Sequence, residues 1–353
     1  VTRLGVAVLT LVAACALLVA TASTPAAADP PRPTNFRSQV LAMDPPAEGV
    51  TVQVEGGDAF LSLTVAPGHT ATVPDYGDDG APYLRFLADG TVQVNEASSA
   101  HAANASRYGS GSSTTSDEPR WTTVGHDGRH AWHDHRIHLM VPDHLAVTDA
   151  RGRVDLGGDD GTWEVPIVVD GVPTVVRGEL LLLPSPAPWP WWALVAVTAG
   201  GVLAWAVGLR RTVEPALSAA SAAVALTATW ISATEHAAAP MGAGASWAAT
   251  ALAGVAAAAS VTVLGSRVAA TRGALSADRV AAIGRTGVAA ATACLAWWAV
   301  ARRAVLDHAV VPSGLPTLDR ATTSLALGLA LAAAVVLVSR PAALVSRDAA
   351  PGR

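Results

Sequence analysis

Six of the ten histidines fall between His126 and His144, and the stretch Trp132-His133-Asp134-His135-Arg136-Ile137-His138-Leu139-Met140 holds three of them. Read as a continuing strand, it would project His133 and His135 from one face, about 7 Å apart. Two neutral imidazoles at that spacing can share a transition-metal ion. A third ligand would come from His126, His130 or His144, with His138 on the opposite face. The thioethers of Met140 and Met43 would favour Cu(I), which makes copper the expected ion and zinc the alternative. Asp134 is expected either to orient an imidazole from behind or to neutralise Arg136. The competing reading has no metal: Trp132, Asp134 and Arg136 form a packed polar network on a polar strand or turn.

Two acid–histidine dipeptides, Glu235-His236 and Asp307-His308, lie at or just beyond the ends of apolar segments. Ionisable groups at such places are functional candidates. His236 and His308, with Met241 nearby, would receive an ion captured by His133 and His135. The bland reading makes both loops simply wet and polar. No phosphate-binding glycine loop, Cys-x-x-Cys, His-Glu-x-x-His or Gly-x-Ser-x-Gly occurs, so no enzyme is expected.

These residues need a scaffold, and composition divides the chain in two. Charged residues make up 14% of the 353 positions and mean hydropathy is +0.37, which excludes an ordinary soluble protein. Lysine is absent, and the net charge of −5 leaves no electrostatic footprint for nucleic acid. Residues 1–28 read as a secretory signal, with Arg3 ahead of an apolar run and Ala26-Ala27-Ala28 as a cleavage site. A lipoprotein reading at Cys15 is the rival. Cys294 is the second of the two cysteines, so the exported domain has no disulfide.

Residues 29–184 read as an immunoglobulin-like antiparallel β-sandwich. Val50 to Val54 and Phe60 to Val65 alternate apolar with polar residues, and Asp89-Gly90 and Asp170-Gly171 mark hairpins. Residues 97–120 read as a long mobile loop. A proline- and tryptophan-rich connector at 185–190 leads into a five-helix membrane domain, 191–340. Its spans are expected near 191–209, 214–234, 244–265, 280–300 and 321–339. A tail follows at 341–353.

Arginine sets the expected orientation. Arg210, Arg211, Arg267, Arg272, Arg279 and Arg340 fall on one side, and only Arg302, Arg303 and Arg320 on the other. By the positive-inside rule the β domain lies outside and the C-terminus in the cytoplasm, a multi-pass arrangement in the cell membrane. Trp189, Trp191, Trp192, Trp230, Trp247, Trp297 and Trp298 then gather near the outer interface. Arg302 and Arg303 would meet lipid headgroups.

Pro33-Thr34-Asn35-Phe36-Arg37-Ser38, Ala81-Pro82-Tyr83-Leu84-Arg85, Trp132-His133-Asp134-His135-Arg136 and Pro188-Trp189-Pro190-Trp191-Trp192 resemble a family of uncharacterised actinobacterial membrane proteins. An exported β domain ahead of a helical membrane domain is also similar to fused copper-resistance proteins of the carrier-plus-permease kind. That likeness implies copper as cargo and an envelope copper-handling partner. It departs at the start of the expected mature chain, where Asp29 stands in place of the carrier's usual histidine. An envelope binding or scaffold protein without metal is the alternative expectation.

Overall fold

The computed structural model describes residues 31–76, 82–105, 118–140, 146–208, 213–238 and 247–339. The expected signal at 1–28, the tail at 341–353, His144 and Met241 lie outside them.

Two antiparallel sheets pack face to face. The larger has the strand order β1 (Phe36–Asp44), β11 (Val172–Leu182), β10 (Trp163–Val169), β4 (Ala71–Val73), β5 (Leu84–Phe86), β6 (Val92–Asn95), β7 (Trp121–Gly125). The two-residue β9 (Arg153–Val154) continues the line of β10 along β11. The smaller sheet is β2 (Val50–Glu55), β3 (Phe60–Val65), β8 (Arg129–Trp132). Leu61, Leu63 and Trp132 of the small sheet meet Leu84, Phe86, Val165, Ile167 and Val176 of the large one in a single buried core. Each such side chain, fully buried, contributes about 1.5–3 kcal/mol. The expected sandwich is therefore the fold.

Local chemistry sets the strand ends. Asp170 and Gly171 both take positive φ, the two-residue turn that matches strand twist, and Val169 faces Val172 across it. Asp170 also ties the turn to the β4 end, accepting from Thr70 N at 2.7 Å. Gly178 is glycine because a Cβ there would fall on the Trp163 indole.

One expected loop contains a helix. Ser99–Ala103 forms α1, with Ser98 Oγ accepting from His101 N at 3.0 Å. The Asp75 carboxylate accepts from Ser99 N, Ser99 Oγ and Ala100 N at 2.6–2.8 Å. Ala100 is fully buried in the sandwich core. The rest of that stretch between 106 and 117 lies outside the described residues.

Five helices then form a bundle: α2 (Trp189–Gly208), α3 (Glu214–Ala238), α4 (Ala248–Thr271), α5 (Ala277–Ala301) and α6 (Pro316–Ser339). Each is long and apolar enough to cross a membrane. The chain is a multi-pass membrane protein, and these helices meet the lipid bilayer. α2 begins at Trp189, inside the expected connector, because Pro190 is tolerated in a first helical turn. α3 packs on α4 and α6, α5 on α4 and α6, and α2 on α6. Alanines fill the contacts, so backbones approach closely.

Trp189, Trp192, Trp230, Trp247 and Trp297 are all at least half exposed, and all sit at the bundle end nearest the sandwich. That ring suits a membrane interface. Trp298 does not join it: it is fully buried and donates its indole N–H to Ser232 Oγ at 2.8 Å. Arg302 is likewise no headgroup contact. Its guanidinium lies buried between Glu235 and Asp319.

Candidate metal centre

β8 ends at Trp132, and the chain turns instead of continuing as a strand. Ile137 N donates to Asp134 O at 3.1 Å and closes the turn, while the Ile137 side chain drops into the core. The alternating-face geometry expected for His133 and His135 is thereby replaced by a compact loop.

Asp134 is the post around which the turn winds. Its carboxylate is fully buried and receives Arg136 Nε at 2.8 Å, Arg136 Nη2 at 2.6 Å and Trp132 Nε1 at 2.9 Å. Arg136 N adds a fourth bond at 3.1 Å. Burial alone would push this carboxyl up, but the Arg136 charge and these donors hold it below the usual carboxylate range. Both oxygens are engaged, and the fork makes Asp134 the counter-charge of Arg136.

Tyr76 braces the turn from the neighbouring loop. Its hydroxyl accepts from His135 N at 2.9 Å and donates to Asn104 Oδ1 at 2.6 Å. The Arg136 guanidinium lies 4.9 Å from its ring centroid. Burial, then the Asp134 charge, push the Tyr76 phenol well above its ordinary value, so it stays protonated. Asp75 and Tyr76 did not figure in the sequence reading. Asp75-Tyr76 following Val73-Pro74 was the available signal, as a turn at the end of a strand.

Three imidazoles gather on this turn. The ring of His138 lies 5.4 Å from that of His135 and 6.3 Å from that of His133, nearly perpendicular to both. His133 stacks on Phe60 at 4.3 Å and His135 on Tyr76 at 6.0 Å. His133 and His138 are buried and His135 half-buried. Two imidazoles on one tetrahedral ion, with nitrogens about 2.0–2.1 Å from it, have centroids about 5 Å apart. The His135–His138 pair fits that spacing. His133 stands somewhat farther out. Among the described residues no three His, Cys, Asp or Glu side chains are already placed to hold one ion.

The other candidates are dispersed. His126 is exposed in the β7–β8 turn, and Met140 is exposed beyond His138. His130 pairs with Leu63 within the small sheet, where burial pushes its imidazole down to about 4. Met43 packs against the sandwich core from β1. The His236 ring lies tilted against that of Trp247, with centroids 3.7 Å apart. His308 Nδ1 lies 2.8 Å from both Asp307 Oδ1 and Ala304 O. Glu235 is taken by Arg302, so the two acid–histidine dipeptides differ: only Asp307 engages its own histidine.

The sandwich is also fixed to the bundle. Thr34 and Val310 exchange backbone hydrogen bonds at 3.0 and 2.9 Å. Asn35 Oδ1 accepts from Ala309 N at 2.8 Å, and Asn35 Nδ2 donates to Ser185 Oγ at 3.0 Å. Comparison with known protein families, with curated proteins and with solved structures finds no match to this chain.

Proposed function

We propose that this chain captures a transition-metal ion, copper or zinc, on an extracytoplasmic β-sandwich carried by a five-helix membrane domain. One observation carries the reading: His133, His135 and His138 converge on a single turn that the Asp134–Arg136–Trp132 network holds in shape. His135 and His138 supply the first two ligands. His133, whose ring lies 6.3 Å from that of His138, is the third ligand. Copper-type cargo also agrees with the architectural resemblance to fused copper-resistance proteins. The reading of residues 1–28 as a secretory signal and the arginine asymmetry support a sandwich outside the cell and a cytoplasmic C-terminus. His236 and His308, on the bundle end nearest the sandwich, are the acceptors for any onward transfer.

Melting the intact protein in lipid nanodiscs tests this. A ligand at one hundred times its Kd stabilises by about 2.7 kcal/mol through mass action. Cu(I) or Zn(II) should raise the sandwich transition, and His133→Ala/His135→Ala should remove the shift. An unchanged transition with metal would end the proposal.

The buried Asp134–Arg136 pair favours a second reading. A turn so rigidly built also suits a docking surface for an envelope protein, with the helices as anchor. That reading expects lost stability on Asp134→Ala or Arg136→Ala and no metal-dependent shift.

A further inference from the structure

A tether alone would need only the connector at Pro184–Pro188. This chain adds a second attachment, and that attachment is wired into the helices. Thr34 and Asn35, at the start of β1, grip Ala309 and Val310. The same loop is held from beneath by Arg320 of α6, whose Nε donates to Val305 O at 2.9 Å and Nη2 to His308 O at 2.7 Å. Val305, Leu306 and Val311 of the loop pack with Trp191 of α2 in a small buried cluster.

The preceding residue of α6, Asp319, is fully buried. It accepts from Arg302 Nη2 at 2.6 Å and from Ser313 Oγ at 2.9 Å. Arg302, at the end of α5, also binds Glu235 at the end of α3. A single guanidinium therefore joins three helices. Its departure would leave the fully buried Asp319 and the partly buried Glu235 without their shared cation, an arrangement that charge repulsion and desolvation both oppose.

We propose that residues 302–315 form a latch coupling the sandwich to the bundle. Docking of Thr34 and Asn35 on Ala309 and Val310 keeps the Arg302–Glu235–Asp319 lock closed, and undocking loosens the adjoining ends of α3, α5 and α6. The membrane domain is then a responding element, able to pass the state of the sandwich across the bilayer. The latch stands independently of what the sandwich binds.

Amide hydrogen exchange on the intact protein in nanodiscs tests it in both directions, because coupling between sites is reciprocal. Asn35→Ala removes the side-chain grip without touching the bundle. Exchange should quicken about fivefold or more in residues 302–311 and also in 232–238 and 316–322. Ser313→Ala deletes one hydroxyl from the lock, and exchange should quicken in residues 34–38 of the sandwich. Arg302→Gln should exaggerate the second effect; where circular dichroism shows that it loses helix, Ser313→Ala decides alone. Changes confined to 34–36 and 309–310 in Asn35→Ala, with an unaltered sandwich in Ser313→Ala, would overturn the latch. Metal titrations should be the same in both variants and the parent, so failure here is separable from failure of the metal reading.

Discussion

The Arg136 guanidinium closes on the Asp134 carboxylate, two residues back in the chain, as a fork: Nε on Oδ1 at 2.8 Å and Nη2 on Oδ2 at 2.6 Å. The carboxylate is fully buried and the guanidinium mostly so. Removing one partner of such a pair leaves an uncompensated buried charge. Arg136→Ala should therefore cost about 3–5 kcal/mol, read from the denaturant midpoint of the sandwich. Arg136→Lys should restore only part, since an ammonium cannot make the fork. A loss within about 0.5 kcal/mol, as for an ordinary surface change, would show that the pair does not hold the turn.

His130 predicts an acid-sensitive stability. Its folded imidazole sits at about 4, against about 6.5 for an unfolded histidine. As pH falls below about 6.5, the unfolded chain takes up a proton that the folded chain refuses. Stability should decline down to pH about 4 and then level off with respect to this group. Burial shifts His101 in the same direction, so it adds to the slope. His130→Gln should flatten part of the dependence in melts between those pH values. An unchanged slope would mean that His130 is not held neutral.

Two glycines should resist a methyl group. A Cβ on Gly178 would strike the Trp163 indole, and one on Gly284 of α5 would come 2.7 Å from Glu214 Oε2, the acid that pairs with Arg267. Either alanine variant should destabilise by about 1–3 kcal/mol through overpacking. Gly201→Ala in α2 is the control, because nothing lies within 4 Å of its Cβ position. Thermal unfolding in nanodiscs separates them: equal behaviour of all three would contradict the packing described.

The ring of exposed tryptophans predicts depth. Brominated lipids labelled near the headgroup should quench Trp189, Trp192, Trp230, Trp247 and Trp297 strongly, and Trp298 weakly, in single-tryptophan variants. Strong quenching of Trp298 would contradict its burial against Ser232.

Much of this architecture was legible from residue order. Asp170-Gly171 announced its hairpin because few dipeptides accept two positive φ values. The five spans were readable because bilayer thickness demands about 20 apolar residues of each. What escaped was set by contacts distant in sequence. The run from Trp132 to His138 alternates like a strand, yet the Asp134–Arg136 fork and the Tyr76 hydroxyl fold it into a turn. The helix at Ser99–Ala103 is too short to show a period and depends on Asp75, 24 residues earlier, for its first-turn partners. Arg302 read as a surface cation because nothing near it in the sequence reveals Asp319 or Glu235. The histidines of the candidate centre were evident as a cluster, but which of them share a turn was decided by that same fork.

Isothermal titration of the intact chain in nanodiscs with Cu(I) and Zn(II), beside His133→Ala/His135→Ala and His138→Ala, shows whether the turn holds a metal ion. One ion should bind per chain, with binding abolished by the double substitution and weakened by His138→Ala, and the sandwich still folded in both variants. Unchanged stoichiometry in the variants, or binding no tighter than that of scattered surface histidines, would contradict the metal reading and leave the turn as a docking surface.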